Sequence, residues 1–146
     1  MGQGGGVGEV DPDEAWRILS EEPSARLIDV RTRAEWGFVG TPDIGELGQT
    51  PLFVEWVSFP DMSMNARFAA EVEEALGDGP GTLLFLCRSG SRSMQAARAV
   101  AGHYAEKGVE VTCLNVAEGF EGDLDASGHR GGHNGWKARR LAWRQS

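Results

Sequence analysis

The 146-residue chain has only two cysteines, Cys87 and Cys113, and three histidines. Two cysteines cannot make a disulfide framework, and they are too few for a zinc site by themselves. No apolar run approaches the ~18–20 residues a helix needs to cross a bilayer. Positive charge is scarce: 14 Lys and Arg stand against 22 Asp and Glu, a formal net charge of −8. That balance lacks the basic stripe of a nucleic-acid surface. The opening MGQGGGVGEV has neither a basic nor an apolar stretch, so it does not read as a signal peptide. A cytoplasmic protein is expected, with no membrane or nucleic-acid partner and a flexible Gly-rich leader over 1–10. No segment repeats.

What is present is an alternation of helix and strand signals. Asp11-Pro12-Asp13-Glu14 reads as a helix start: an N-cap Asp, Pro at the first helical position, and Glu three residues after the cap. That helix carries Ala15, Ile18 and Leu19 on one face and ends before Pro23. Ala25–Val30 (ARLIDV) reads as a buried strand. Thr32 and Glu35 form a second capping box, opening a short helix with Trp36. The glycine-rich stretch 37–49 is loop. Leu52–Phe59 has strong strand formers, and Asn65 is expected to cap a helix ending at Gly77. Thr82–Leu86 (TLLFL) is wholly apolar, as in the middle strand of a parallel sheet. A helix over Arg92–Glu106 follows, buries Ala96, Ala97, Val100 and Ala101, and ends at Gly108. Val109–Val116 reads as the last strand. The alternation predicts an α/β fold with a mostly parallel sheet. Function in such sheets gathers at the carboxyl ends of the strands, where Asp29, Cys87 and the Ala117–Phe120 turn emerge.

Cys87 raises the chemical question. It leaves the apolar strand directly into Arg88-Ser89-Gly90-Ser91-Arg92-Ser93. A cysteine kept for packing has apolar neighbours; this one is surrounded by cations, hydroxyls and a glycine. In a strand-to-helix loop, successive backbone N–H groups can converge on one point. The helix start adds its positive end. A thiol at that centre is expected to lose its proton more readily. Arg88 and Arg92 are placed to contact an anionic substrate, Ser89, Ser91 and Ser93 to donate hydrogen bonds, and Gly90 to allow the turn. The alternative is a buried core cysteine beside a solvated helix start, which leaves the arginines and serines without a role.

LIDVRTRAEW (27–36), LLFLCRSGSRS (83–93) and LNVAEGFEGD (114–123) resemble, in order, the three signature regions of rhodanese-like domains, the single-domain sulfurtransferases. The resemblance spans roughly Asp11 to Asp123 and implies a three-layer fold, with a central sheet of about five strands flanked by helices. The domain is set at 11–126, followed by a tail over 127–146 that Trp136 and Trp143 would dock. The resemblance also implies a chemistry. Cys87 attacks the outer sulfur of thiosulfate or a related donor, sulfite leaves, and the resulting persulfide passes sulfur to cyanide or a thiol, small or thioredoxin-like. Arg88 would attract the donor. Asp29 matches the family's buried aspartate and would support the sheet edge, while Arg31 would pair with an acidic neighbour or form a surface salt bridge. No cofactor is expected.

The chain departs from the family pattern in two places. Gly40-Thr41-Pro42-Asp43-Ile44-Gly45 replaces the usual Gly-His-Ile-x-Gly-Ala segment and leads into an insertion-like stretch to Pro60. The tail HRGGHNGWKARRLAWRQS is additional; it would cover the active edge or pack on a distant face. The rivals are a non-catalytic rhodanese-like binding module and a cysteine phosphatase or arsenate reductase. The latter use Cys-x5-Arg, whereas four residues separate Cys87 from Arg92. His129 and His133 lie among glycines, with His103 in the preceding helix, so no metal site is expected. Cys113 reads as buried, and a redox pair with Cys87 would require the two to be close. The five tryptophans read as core and tail anchors.

Overall fold

A computed structural model describes residues 6–58 and 60–145. In chain order the elements begin β1 (Gly8–Val10), α1 (Pro12–Glu21), β2 (Arg26–Asp29), α2 (Arg33–Val39) and β3 (Thr41–Pro42). Next come β4 (Leu52–Phe53), β5 (Val57–Ser58), β6 (Ser63–Met64), α3 (Phe68–Leu76) and β7 (Thr82–Leu86). The chain closes with α4 (Ser91–Glu106), β8 (Thr112–Val116), α5 (Gly135–Ala138) and β9 (Trp143–Arg144). Five strands form one parallel sheet in the order β1-β8-β7-β2-β4.

The pleat of β7 sorts the core into two layers. Leu83, Phe85 and Cys87 face Phe68 and Val72 of α3 and Ala96, Ala97, Val100 and Tyr104 of α4. Leu84 and Leu86 face Ala15, Ile18 and Leu19 of α1, with Phe120 and Trp136. A strand apolar on both faces is stable only when both are covered, hence the central position of β7 and the helices on either side. Truncating Leu84 or Leu86 to Ala would cost ~2–5 kcal/mol.

Local capping chemistry follows the sequence closely in two helices. The Asp11 carboxylate accepts the Glu14 N–H at 2.8 Å. Thr32 and Glu35 cap α2 reciprocally. Each such cap contributes ~1 kcal/mol.

Four expectations need correction. Residues 1–5 lie outside the description, but the rest of the expected leader is not loose. Gly8–Val10 pairs with Leu114–Val116 as an edge strand, because β8 would otherwise present an open ladder. Leu52–Phe59 is not one strand. Regular pairing ends at Phe53; the Val54 and Trp56 N–H groups still reach the Asp29 and Val30 carbonyls at 3.2 and 3.1 Å, and Trp56 buries itself edge-on against Phe68, at 5.2 Å between ring centres; Val57–Ser58 then pairs with Ser63–Met64, and Phe59 lies outside the description. Asn65 lies two residues before the N-cap of α3, Arg67, whose N–H its Oδ1 accepts at 3.0 Å, so it turns the chain into the helix without being its N-cap. Its amide donates to the Glu55 carbonyl and the Glu71 carboxylate, both at 2.9 Å, and the helix begins at Phe68. The last strand starts at Thr112 rather than Val109.

The tail is part of the body. Trp136 is completely buried, and its indole N–H donates to the Ala142 carbonyl at 2.8 Å. Trp143 is 39% exposed, and its short strand pairs with Thr41–Pro42. Among the described residues no helix is long and apolar enough to cross a membrane.

Candidate active site around Cys87

Cys87 is the first residue beyond β7, at the carboxyl edge of the sheet, and is 1% exposed. Its Sγ accepts hydrogen bonds from the Gly90 N–H at 3.1 Å and the Ser93 hydroxyl at 3.2 Å. Ser89 and Ser91, also expected as donors, are half-buried and exposed, and neither bonds to the sulfur. Gly90 adopts φ +114°, a conformation other residues resist, and this turns its N–H onto the sulfur. The same residue is the N-cap of α4 and offers no side-chain cap, so the first N–H groups of a 16-residue helix face the loop.

The loop is gripped from behind by the Ala117–Phe120 turn. Phe120 N–H donates to the Cys87 carbonyl at 2.8 Å, and the Glu121 and Gly122 N–H groups donate to the Arg88 carbonyl at 3.0 and 3.1 Å. Gly119 makes this approach possible: a Cβ there would lie 2.6 Å from the Cys87 oxygen and 2.5 Å from the Arg88 oxygen. The tail holds the turn in its place. Trp136 N–H bonds to the Gly119 carbonyl at 2.9 Å and Lys137 N–H to the Phe120 carbonyl at 3.1 Å. Arg139 clasps the Glu118 carboxylate with its Nε at 2.9 Å and Nη2 at 2.6 Å. The tail therefore buttresses the Cys87 loop.

The two arginines of the loop are not equivalent. Arg92 is locked to Glu35, Nη1 to Oε1 at 2.7 Å and Nη2 to Oε2 at 2.8 Å, so the expected substrate contact already has an anionic partner. Burial alone would raise the Glu35 pKa; the hydrogen bonds and charge of Arg92, with the Thr32 donors, outweigh it and hold the carboxyl down to about 2. Arg88 is exposed and makes no ion pair among the described residues. Beside the loop lies an open cleft of about 510 Å³. Arg88, Arg92 and Arg130 line it, with Glu35 and Glu121 and the apolar Ala34, Phe38, Val39 and Met62. Its size and half-apolar wall suit a small molecule.

Asp29 and Arg31 form a completely buried pair at the end of β2, which corrects the surface reading of Arg31. Arg31 donates through Nε at 2.9 Å and Nη2 at 2.7 Å to the Asp29 carboxylate, and through Nη2 to the Gly40 carbonyl at 2.8 Å. Its guanidinium lies 4.3 Å from the centre of the Phe120 ring, so the pair backs the turn that grips Cys87. Burial inside protein demands this pairing, because a lone charge there is far more costly.

The sequence reading missed Asn115 and Glu9. Asn115 is 1% exposed and accepts the Ser93 hydroxyl at 2.5 Å. Its amide donates to Glu9 at 2.9 Å and to the Gly90 carbonyl at 3.1 Å. The signal was an amide between Leu114 and Val116 in a strand that runs into the sheet; a buried polar group needs partners. Glu35 was read only as a helix cap, and nothing in the sequence ties it to Arg92. Cys113 is buried in mid-strand, its thiol pushed up to about 12 by burial. Its register partner is Leu83, four residues before Cys87 and thus roughly 13 Å away along the sheet, too far for a disulfide. His103 bonds to Glu73 at 2.7 Å, while His129 and His133 are exposed. Among the described residues no three potential ligands converge on a metal position.

No family model matches the chain. RC0915 of Rickettsia conorii, an uncharacterised protein, is 32% identical over 130 residues, 89% of this chain and 91% of its own. RP600 of Rickettsia prowazekii, also uncharacterised, is 30% identical over 131 residues. The crystal structure of Rv0390 from M. tuberculosis superposes with a TM-score of 0.81 at 45% identity, covering 95% of this chain and 98% of that one. The polysulfide-sulfur transferase homodimer from Wolinella succinogenes shares the fold, with a TM-score of 0.57 at 18% identity over 96% of this chain and 80% of its own. With its five-stranded parallel sheet between helices, the chain belongs to one family with the rickettsial proteins and Rv0390, built on the rhodanese-like fold.

Proposed function

We propose that this protein is a sulfurtransferase that moves sulfane sulfur from thiosulfate or a related small anionic donor to a thiol or cyanide, through a persulfide on Cys87. The observation that carries this reading is a cysteine sulfur at a sheet's carboxyl edge, with the Gly90 N–H and the Ser93 hydroxyl directed at it. In the first step the Cys87 thiolate attacks the outer sulfur of thiosulfate. A new S–S bond forms, the donor's S–S bond breaks, and sulfite leaves with the electron pair. In the second step an acceptor thiolate or cyanide attacks the outer persulfide sulfur, and Cys87 leaves as a thiolate. No external oxidant or reductant is needed.

The surrounding groups suit these steps. Arg88 supplies a positive charge at the cleft to draw in the donor. The loop N–H and hydroxyl donors meet charge on sulfur. Arg92 keeps a fixed place through Glu35 and adds its field to the loop. The likeness to a polysulfide-sulfur transferase, at 18% identity, supports the fold that this chemistry uses. A reduced small thiol or a thioredoxin-like protein is the acceptor class that fits a thiol-reactive persulfide.

The test is single-turnover mixing with thiosulfate, read as release of sulfite. One equivalent of sulfite per protein, absent from Cys87→Ser, is expected. An aryl phosphate hydrolysed in its place would move the assignment to phosphatase chemistry.

A further inference from the structure

The two donors to Cys87 Sγ share a common support. Asn115 Oδ1 accepts from the Ser93 hydroxyl at 2.5 Å, and Asn115 Nδ2 donates to the Gly90 carbonyl at 3.1 Å. The second acceptor for Nδ2 is the Glu9 carboxylate, at 2.9 Å. Parallel pairing fixes this contact, because Glu9 of β1 is the register partner of Asn115 in β8. Asn115 lies two residues beyond Cys113 and so on the α4 face of the sheet, the face that carries Cys87.

An amide can face either way, and its partners decide which. A carboxylate and a carbonyl only accept, so both face Nδ2. Oδ1 must then face Ser93. Ser93 has one hydroxyl hydrogen for three acceptors: Asn115 Oδ1 at 2.5 Å, and the Cys87 sulfur and the Gly90 carbonyl, both at 3.2 Å. The sulfur and Asn115 Oδ1 share this one hydrogen, and a small turn about the Cβ–Oγ bond commits it to the sulfur when Cys87 is a thiolate.

We infer that Asn115, oriented by Glu9 of the N-terminal strand, is a positioning residue that sets the Ser93 hydroxyl and the Gly90 N–H against Cys87. The purpose assigned to this relay rests on the sulfurtransferase reading; its existence rests on the hydrogen-bond geometry. Glu9 thereby makes the first strand part of the active site, at a distance of 106 residues in the chain from Asn115.

A double-mutant cycle tests the inference, using Glu9→Ala, Asn115→Ala and the pair. Two rates are read: single-turnover persulfide formation with thiosulfate, and alkylation of Cys87 by iodoacetamide, followed on the Cys87 peptide. Glu9→Ala should slow both rates about tenfold, the weight of one charge-assisted hydrogen bond. The half-saturating thiosulfate concentration should not change, since neither residue lines the cleft. Asn115→Ala should slow both rates at least as much, and the double variant should match Asn115→Ala within about twofold, because Glu9 acts through Asn115. Glu9→Gln, which keeps an acceptor oxygen within reach, should recover part of the rate. A wild-type rate in Glu9→Ala, or losses that multiply in the double variant, would overturn the inference. If Asn115→Ala does not fold, Glu9→Ala and Glu9→Gln at their exposed position still decide it. If the unmodified protein takes no sulfur from thiosulfate, the sulfurtransferase reading fails separately, and the alkylation cycle still judges the relay.

Discussion

Cys87 and Cys113 lie on the same face of the sheet and are almost equally buried, at 1% and 3% exposure. Their surroundings differ in kind. Cys113 sits in mid-strand, in register with Leu83 of β7, and burial pushes its thiol up to about 12. Cys87 sits one residue past the end of a strand. There the ladder stops, a loop N–H and a hydroxyl turn to the sulfur, and a long helix begins. Burial without donors makes a cysteine a small hydrophobe; burial among donors makes it a candidate nucleophile. The place in the sheet, more than the exposure, separates the two.

The largest expected contrast is chemical labelling. In the native protein at pH 8, iodoacetamide should label Cys87 alone, and Cys113 only after denaturation. With a pKa of about 12, Cys113 has roughly one thiolate in ten thousand at that pH. Equal labelling of the two, mapped by peptide mass, would erase the distinction.

Next come the glycines that shape the Cys87 loop. Gly119 combines φ +67° with carbonyls less than 3 Å from a would-be Cβ, whereas a Cβ on Gly90 would meet nothing nearer than 3.7 Å. Gly90→Ala should cost only backbone strain, about 1–2 kcal/mol. Gly119→Ala should cost more, because strain and clash add, and should displace Cys87. Urea denaturation of the two variants ranks them; the reverse order would break the account of how the loop is gripped.

Smaller still is the effect of the Arg88 charge at the cleft. Arg88→Ala should raise the half-saturating thiosulfate concentration about tenfold, the weight of one charge-assisted contact, while leaving the maximal rate within a few-fold. The same substitution should flatten the dependence of the transfer rate on salt. An unchanged concentration dependence would remove Arg88 from donor binding.

The smallest effect concerns acid. The folded Glu35 carboxyl is depressed from 4.5 to about 2, so its contribution to stability is complete above about pH 4.5 and fades as the pH falls toward 2. Glu35→Gln should remove that part of the acid dependence, measured as the thermal midpoint between pH 5 and 2.5. An unaltered pH profile would show that Glu35 and Arg92 are not coupled as described.

The sequence made the Cys87 loop legible because its signals are local. An apolar strand, a cysteine, a glycine and a helix start lie within ten residues, and local periodicity and capping rules read them. The same holds for Asp11 and Thr32 as caps. What escaped depends on partners far along the chain. Glu9 stood in a glycine-rich run whose pairing with β8 no local pattern announces. Arg92 looked like a substrate ligand because Glu35, 57 residues earlier, was already explained as a cap. Leu52–Phe59 carried genuine strand propensity, but burying Trp56 against α3 outweighed it. Asp29 was legible as a support of the sheet edge and Arg31 as a residue in need of an acidic neighbour; that the two pair, and that both are completely buried, was not, since it requires Phe120 and Gly40 to close over them.

The central claim is that Cys87 carries sulfur. Its most direct test is intact-protein mass after exposure to thiosulfate, with Cys87→Ser and Cys113→Ala alongside. The account predicts a gain of one sulfur atom in the unmodified protein and in Cys113→Ala, none in Cys87→Ser, and removal of that gain by cyanide. No gain on a folded protein whose Cys87 still reacts with iodoacetamide would contradict it.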